Sequence, residues 1–199
     1  RFDQAAIGGA DIRFAAGDGT PLAYQIDTWD AEAGTASLWV RVPRIRGNAI
    51  QAIRMFWGGD EATSESDGEA TFGVDAGFAG VWHLGDDFED ATPNNLNGVN
   101  KGTVNAPGIV GDGKRFAPGT FIACGEEVAT LPSGNQDRTM SAWINPSSYE
   151  AGPTIGGWGK QGAQHLSYLT LSSRGRVLFH GYAADPKGVT QAPFGEWHH

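Results

Sequence analysis

Apolar and polar residues alternate with a period of two through most of this chain, in runs of about five to eight residues closed by glycine, proline or Asp/Asn clusters. DIRFAA and PLAYQIDTW flank the turn Gly17-Asp18-Gly19-Thr20 and predict a hairpin, with Leu22, Tyr24 and Ile26 on one face. TASLWVRVP sets Leu38, Val40 and Val42 against Trp39 and Arg41 and stops at Pro43. AIQAIRMFWGG is apolar on both sides, with Ile53, Met55 and Trp57 opposing Ala52, Arg54 and Phe56, which predicts a central strand. Residues 60–73, DEATSESDGEATFG, have no sustained apolar period and predict a loop with one helical turn. Beyond Gly80, VWHL reads as a compact strand and DDFEDATPNNLNG as turns. GKRFAPGTFIACG, DRTMSAWINP, HLSYLTLSS and RVLFHGYA read as further strands, with Trp82, Trp143 and Phe179 expected to fill their core.

No segment fits a helix of ten or more residues, so the pattern predicts an all-β chain. Two tandem β-sandwich units are expected, residues 1–79 and 80–199, and the lack of a Pro/Ser linker near Gly80 implies that they abut.

Composition strengthens this reading: among 199 residues, 30 glycines and 10 prolines favour short strands joined by tight turns. The formal net charge is −9 and the Lys and Arg residues are scattered, which excludes nucleic acid as a partner. No apolar run approaches the roughly 18 to 20 residues that cross a bilayer, so no membrane span is expected in this segment. The opening RFDQAAIGG has neither an initiator methionine nor an apolar signal core, pointing to a processed or excised segment. Cys124 is the only cysteine, which excludes an internal disulfide and a cysteine-rich zinc cage; within FIACG it reads as a small buried hydrophobe.

Four groups of residues raise questions of chemistry. Asp86, Asp87, Glu89, Asp90, Asn94 and Asn95 form the densest acidic and amide cluster. Calcium takes about six to eight oxygens, which makes Asp86, Asp87, Asp90 and Asn95 candidate ligands, against the competing reading of turn residues that bond their own backbone. Trp158, in the glycine-rich TIGGWGKQG, offers an indole for the apolar face of a sugar, with Lys160, Gln161, Gln164 and Tyr182 available to the hydroxyls. Glu65, Asp67 and Glu69 alternate as catalytic carboxylates do on a glycosidase strand, but the intervening Ser66 and Gly68 cannot desolvate an acid, and a solvated loop is expected. His83, His165, His180, His198 and His199 are too dispersed for a zinc signature, and Ser141 lacks a glycine-flanked elbow.

Residues 80–199 resemble the laminin-G-like, concanavalin A-type jelly rolls of bacterial surface proteins. The resemblance rests on Trp82-His83-Leu84, DATPNNLNG at 90–98, Gly111 to Phe116, TMSAWI at 139–144 and EWHH at 196–199. Residues 1–79 resemble a bacterial domain of unknown function, family 2341, found in surface and ExbB-type proteins, through Ala10 to Phe14, Asp18 to Leu22, Trp39 to Pro43, Met55 to Gly58 and Ser66 to Phe72. Both families continue past the ends of this chain, so the resemblance implies truncation at each end. It also implies a calcium site in the second unit, of the kind many laminin-G-like modules carry.

The resemblance implies a non-catalytic extracytoplasmic module, at the cell surface or in the periplasm, that binds carbohydrate or another surface. A glycan or an envelope protein is then the expected partner, and Ca2+ the one candidate cofactor. The alternatives are a periplasmic spacer of an ExbB/TolQ-type proton-channel protein, membrane-anchored in its parent, and a concanavalin-type glycoside hydrolase. The closing GEWHH admits three readings: the first residues of a core strand, a tag remnant, or metal ligands, the strand being favoured.

Overall fold

The computed structural model describes residues 2–59, 61–125, 129–134, 136–150, 152–159, 166–181 and 186–199. It is almost entirely β, in antiparallel sheets with one short helix. The chain divides into two compact units, Arg1–Val128 and Ala129–His199.

In the first unit the strands are β1 (Arg13–Ala16), β2 (Pro21–Leu22), β3 (Tyr24–Asp30), β4 (Thr35–Val40) and β5 (Ile53–Phe56). After the helical turn α1 (Gly68–Thr71) come β6 (Val99–Lys101), β7 (Val104–Pro107), β8 (Asp112–Arg115) and β9 (Phe121–Ala123). The sheets are β2-β1-β5, β3-β4, β6-β9 and β7-β8. The expected hairpin forms with Phe14 opposite Leu22, its turn held by the Thr20 N–H donating to Asp18 Oδ1 at 3.0 Å and by Gly19 at φ 90°.

The core follows from strand alternation. Ile12, Phe14, Leu22 and Tyr24 are buried, and Ile26, Trp29, Leu38 and Val40 pack against them. Phe14 and Tyr24 meet edge to face at 5.4 Å, and the Tyr24 hydroxyl donates to the Ile12 carbonyl at 2.5 Å, so the ring is buried without an orphaned polar tip. Gly9 lies against Trp29, where an added Cβ would sit 2.7 Å from the indole. Asp11, 5% exposed, ties this core to the residues after β5, accepting from Ala6 N on one oxygen and from Gly58 and Gly59 N on the other.

Several local expectations need correction. The β5 segment is not central: it pairs with β1 alone among the described residues and stands at the sheet edge, its apolar side chains about half exposed. VWHL forms no strand, because Leu84 turns the chain at φ 60° and the Val81 N–H is taken by a side chain, Asp90 Oδ1. Among the described residues TMSAWI contributes only Ile144 to pairing, in a bridge with His198, and Trp143 is 47% exposed where core burial was expected. Trp82 and Phe179 are half-buried.

The division between units falls after residue 128, whereas the pattern of turns placed it near residue 80. Residues 80–98 instead pack on β3 and β4, where His83 stacks on Trp39 and the Ala91 carbonyl closes against Gly68. Turn-rich sequence marks the end of an element, and carries no information about which core the next element covers.

The second unit is built on a four-stranded sheet, β10 (Thr154–Gly159), β11 (Leu166–Leu171), β12 (Arg176–His180) and β13 (Lys187–Gln191), in sequential order. Leu171, Ala192 and Tyr149 are buried among its described residues. The Tyr149 ring lies over Gly175 and its hydroxyl donates to the Ala192 carbonyl.

Candidate functional site

An open groove of about 630 Å³ runs across the first unit between β3 and two loops. Gln25 forms its floor, residues 64–69 one wall, and Glu89, Asp90, Ala91 and Asn95 the other. The first wall exists because β3 has a free edge opposite β4, and the backbone of the polar segment satisfies it. Asp67 N donates to the Tyr24 carbonyl at 2.8 Å, and Ile26 N donates to Ser66 Oγ at 2.8 Å. Asp67 then caps α1, its Oδ1 accepting from Ala70 N at 2.9 Å. Gly68 brings this turn close to its neighbours, since a Cβ there would lie 3.0 Å from the Ala91 carbonyl oxygen and 3.2 Å from the Gln25 side chain.

Asp90 organises the second wall. It is 6% exposed, and its carboxylate accepts from Val81 N, Thr92 N, Thr92 Oγ1 and Leu96 N at 2.9 to 3.0 Å. Asn97 Oδ1 accepts from the Asp90 N–H at 2.8 Å. A carboxylate with four donors replaces a strand ladder in a segment with no strand pairing of its own.

The structure thus brings Glu65, Asp67 and Glu69 to one groove with Asp90 and Asn95, a grouping that sequence spacing did not reveal. It does not set the first three on a strand, for Asp67 is a helix cap and Glu69 lies within α1. Glu65 is paired with Arg13 Nε at 3.0 Å. Glu69 and Glu89 are exposed and make no ion pair among the described residues.

The four proposed calcium ligands do not converge. Asp87 Oδ1 accepts from Glu89 N at 3.1 Å, Asp86 lies 3.5 Å from Asn105 Nδ2, and Asn95, at φ 53°, donates to the Pro93 carbonyl. Asp87 and Asn95 serve their own turns, and Asp86 faces an amide distant in sequence. Among the described residues, no three His, Cys, Asp or Glu side chains gather to hold a metal ion.

Trp158 lies on β10, opposite Ser167, and not on a loop. Its Nε1–H donates to the Pro132 carbonyl at 2.7 Å, which fixes a half-buried indole. Lys160, Gln161, Gln164 and Tyr182 lie outside the described residues, as does His165. His198 exchanges both backbone hydrogen bonds with Ile144 at 2.9 Å, and the His199 ring packs on Trp143 at 5.0 Å.

A second cluster escaped the sequence reading. Asp27 occupies the β-bulge of β3, where the register shifts between Ile26 and Thr28; bulges re-aim side chains in this way. Gln25 and Trp39 are cross-strand partners, and His83 engages both, stacking on the indole and placing Nε2 2.9 Å from Gln25 Oε1. Burial raises the Asp27 carboxyl, opposed by His83 and by the Trp39 indole, and reinforced by Asp87 and Asp112. The indole N–H is buried without a hydrogen bond of good geometry, so its effect on Asp27 is that of a nearby dipole. Burial likewise lowers His83, and the Asp27 and Asp87 charges offset this in part. A polar residue displaced from strand alternation is the only local signal that marks Asp27, and it is visible only once the register is known.

No helix among the described residues is long and apolar enough to cross a membrane. Neither the curated proteins nor the solved structures give a match to this chain. The N-terminal part, residues 8–99, matches the family model of a domain of unknown function, DUF2341, a span that takes in both walls of the groove.

Proposed function

We propose that the chain is a non-catalytic, extracytoplasmic binding or adhesion module whose first unit receives a carbohydrate or a similarly hydroxylated surface in the groove beside β3. The observation that carries this reading is how the groove's polar groups are used. Asp67 caps a helix, Asp90 is saturated by four donors and Glu65 is ion-paired, which argues against an acid and a nucleophile free to break a bond. Ser64, Glu69, Glu89 and Asn95 remain at the surface of an open, polar depression, a lining suited to sugar hydroxyls. The laminin-G-like resemblance of the C-terminal part supports the same class, and a jelly-roll sandwich is the architecture it would entail.

A glycan array, run with and without calcium, tests the reading. Binding that is lost in the double variant Glu69→Gln/Glu89→Gln supports it, and Trp158→Ala tests the second unit separately. Silence across the array in the native chain overturns it in favour of a passive spacer in a larger envelope protein, of the ExbB/TolQ type. Hydrolysis of a β-glucan that disappears in Glu65→Gln overturns it in favour of a glycosidase.

A further inference from the structure

Burial stops abruptly at β5. Along one row of the β2-β1-β5 sheet, Leu22 is 7% exposed, Phe14 is 9% exposed and Met55, directly opposite Phe14, is 45% exposed. Ile53, two residues before Met55 and therefore on the same face, is 47% exposed. The core of the first unit therefore runs out under a strand whose outer N–H and C=O groups pair with no other strand among the described residues. Natural edge strands are short, twisted away or charged, and β5, though only 4 residues long, carries a single charge, Arg54, among Ile53, Met55 and Phe56, with Trp57 following.

The charge around this edge runs against the rest of the molecule. Residues 41–57 contain four arginines and no acidic residue in a chain of net charge −9. Arg41 is neutralised by Asp75 at 2.8 Å, whereas the side chains of Arg44, Arg46 and Arg54 make no ion pair among the described residues. Arg54 alternates with Met55, so it projects from the other face of the sheet, where it is exposed at the edge beside a buried Ala15.

We propose that β5 is a docking edge for an extended segment of a partner protein, apolar at alternate positions and acidic between them. Added as a strand, such a segment continues the main-chain ladder, lays its apolar residues beside Ile53 and Met55 and sets its carboxylates toward Arg54 on the other face. A second copy of this chain fits less well, because antiparallel pairing of two β5 strands brings two arginine-rich segments together.

The test uses the full chain and synthetic peptides of about eight residues, the usual length of a strand, alternating valine with glutamate or valine with lysine. The glutamate peptide is expected to slow amide exchange across Ile53–Phe56 and to change Trp57 fluorescence. Arg54→Glu is expected to weaken it about tenfold and to favour the lysine peptide instead. Arg44→Glu/Arg46→Glu, outside the sheet, is a second variant that lowers affinity without touching the fold. Equal binding of both peptides, or protection confined to other strands, overturns the proposal. So does a free chain that is already dimeric with its β5 amides protected, which makes a second copy the occupant.

Discussion

The imidazole of His83 lies flat on the indole of Trp39, ring centroids 5.3 Å apart and planes 16° from parallel. Phe72 closes the arrangement, tilted against His83 at 5.5 Å and edge-on to Trp39 at 6.0 Å. The segment around His83 is held on the β3-β4 sheet through this stack and the bond to Gln25, within the first unit.

Stability of that unit should depend on pH through two opposed groups. His83 is held below its ordinary 6.5, so the unfolded chain takes up the proton first; its contribution is present above 6.5 and is lost as pH falls through the folded value. Asp27 is raised above 3.8, so its contribution is present below 3.8 and is lost as pH rises through the folded value. Urea unfolding followed against pH should show His83→Phe removing the loss that sets in as pH falls below 6.5 and Asp27→Asn removing the loss that sets in as pH rises above 3.8. A native profile that neither variant alters would contradict the buried placement of both.

Asp90→Ala should be among the most damaging single changes in the first unit. It strands the Val81, Thr92 and Leu96 donors around a buried position, at a cost of roughly 2–4 kcal/mol. Thr92, 0% exposed, loses the acceptor of its N–H and of its hydroxyl at once. Differential scanning calorimetry reads the change, and addition of calcium should not restore it, because these oxygens act on the protein's own backbone.

Gly175→Ala should unfold the second unit while sparing the first. The glycine has φ +68° and an added Cβ would fall 2.3 Å from Cζ of Tyr149, so strain and overlap act together. A loss of about 3 kcal/mol or more is expected. Amide exchange should quicken in β11 and β12 and stay slow in β1 and β3.

Cys124 should be a poor nucleophile. Burial, reinforced by the neighbouring Asp90 charge, raises its thiol above the usual 9.0. Alkylation by iodoacetamide at neutral pH should lag well behind that of free glutathione and catch up on addition of denaturant. Fast labelling of the native chain would show that the thiol is not enclosed.

Alternation of apolar residues determined the class of this protein, because a side chain that must be buried every second position has no other regular conformation available. The β1-β2 hairpin, the shared face of Leu22, Tyr24 and Ile26, and the single turn at Gly68–Thr71 were all legible, each resting on contacts between near neighbours in the chain. Tertiary structure alone decided the rest. Met55 has the same alternation whether a strand covers it or not, so the edge position of β5 is a property of what lies beside it. Glu65 and Asp90 meet across one groove because the 64–67 segment satisfies the free edge of β3 while Asp90 gathers the backbone that faces it. Neither act leaves a mark in local spacing, since hydrogen bonds that close a sheet edge or fill a carboxylate are chosen by proximity in space and not by separation along the chain.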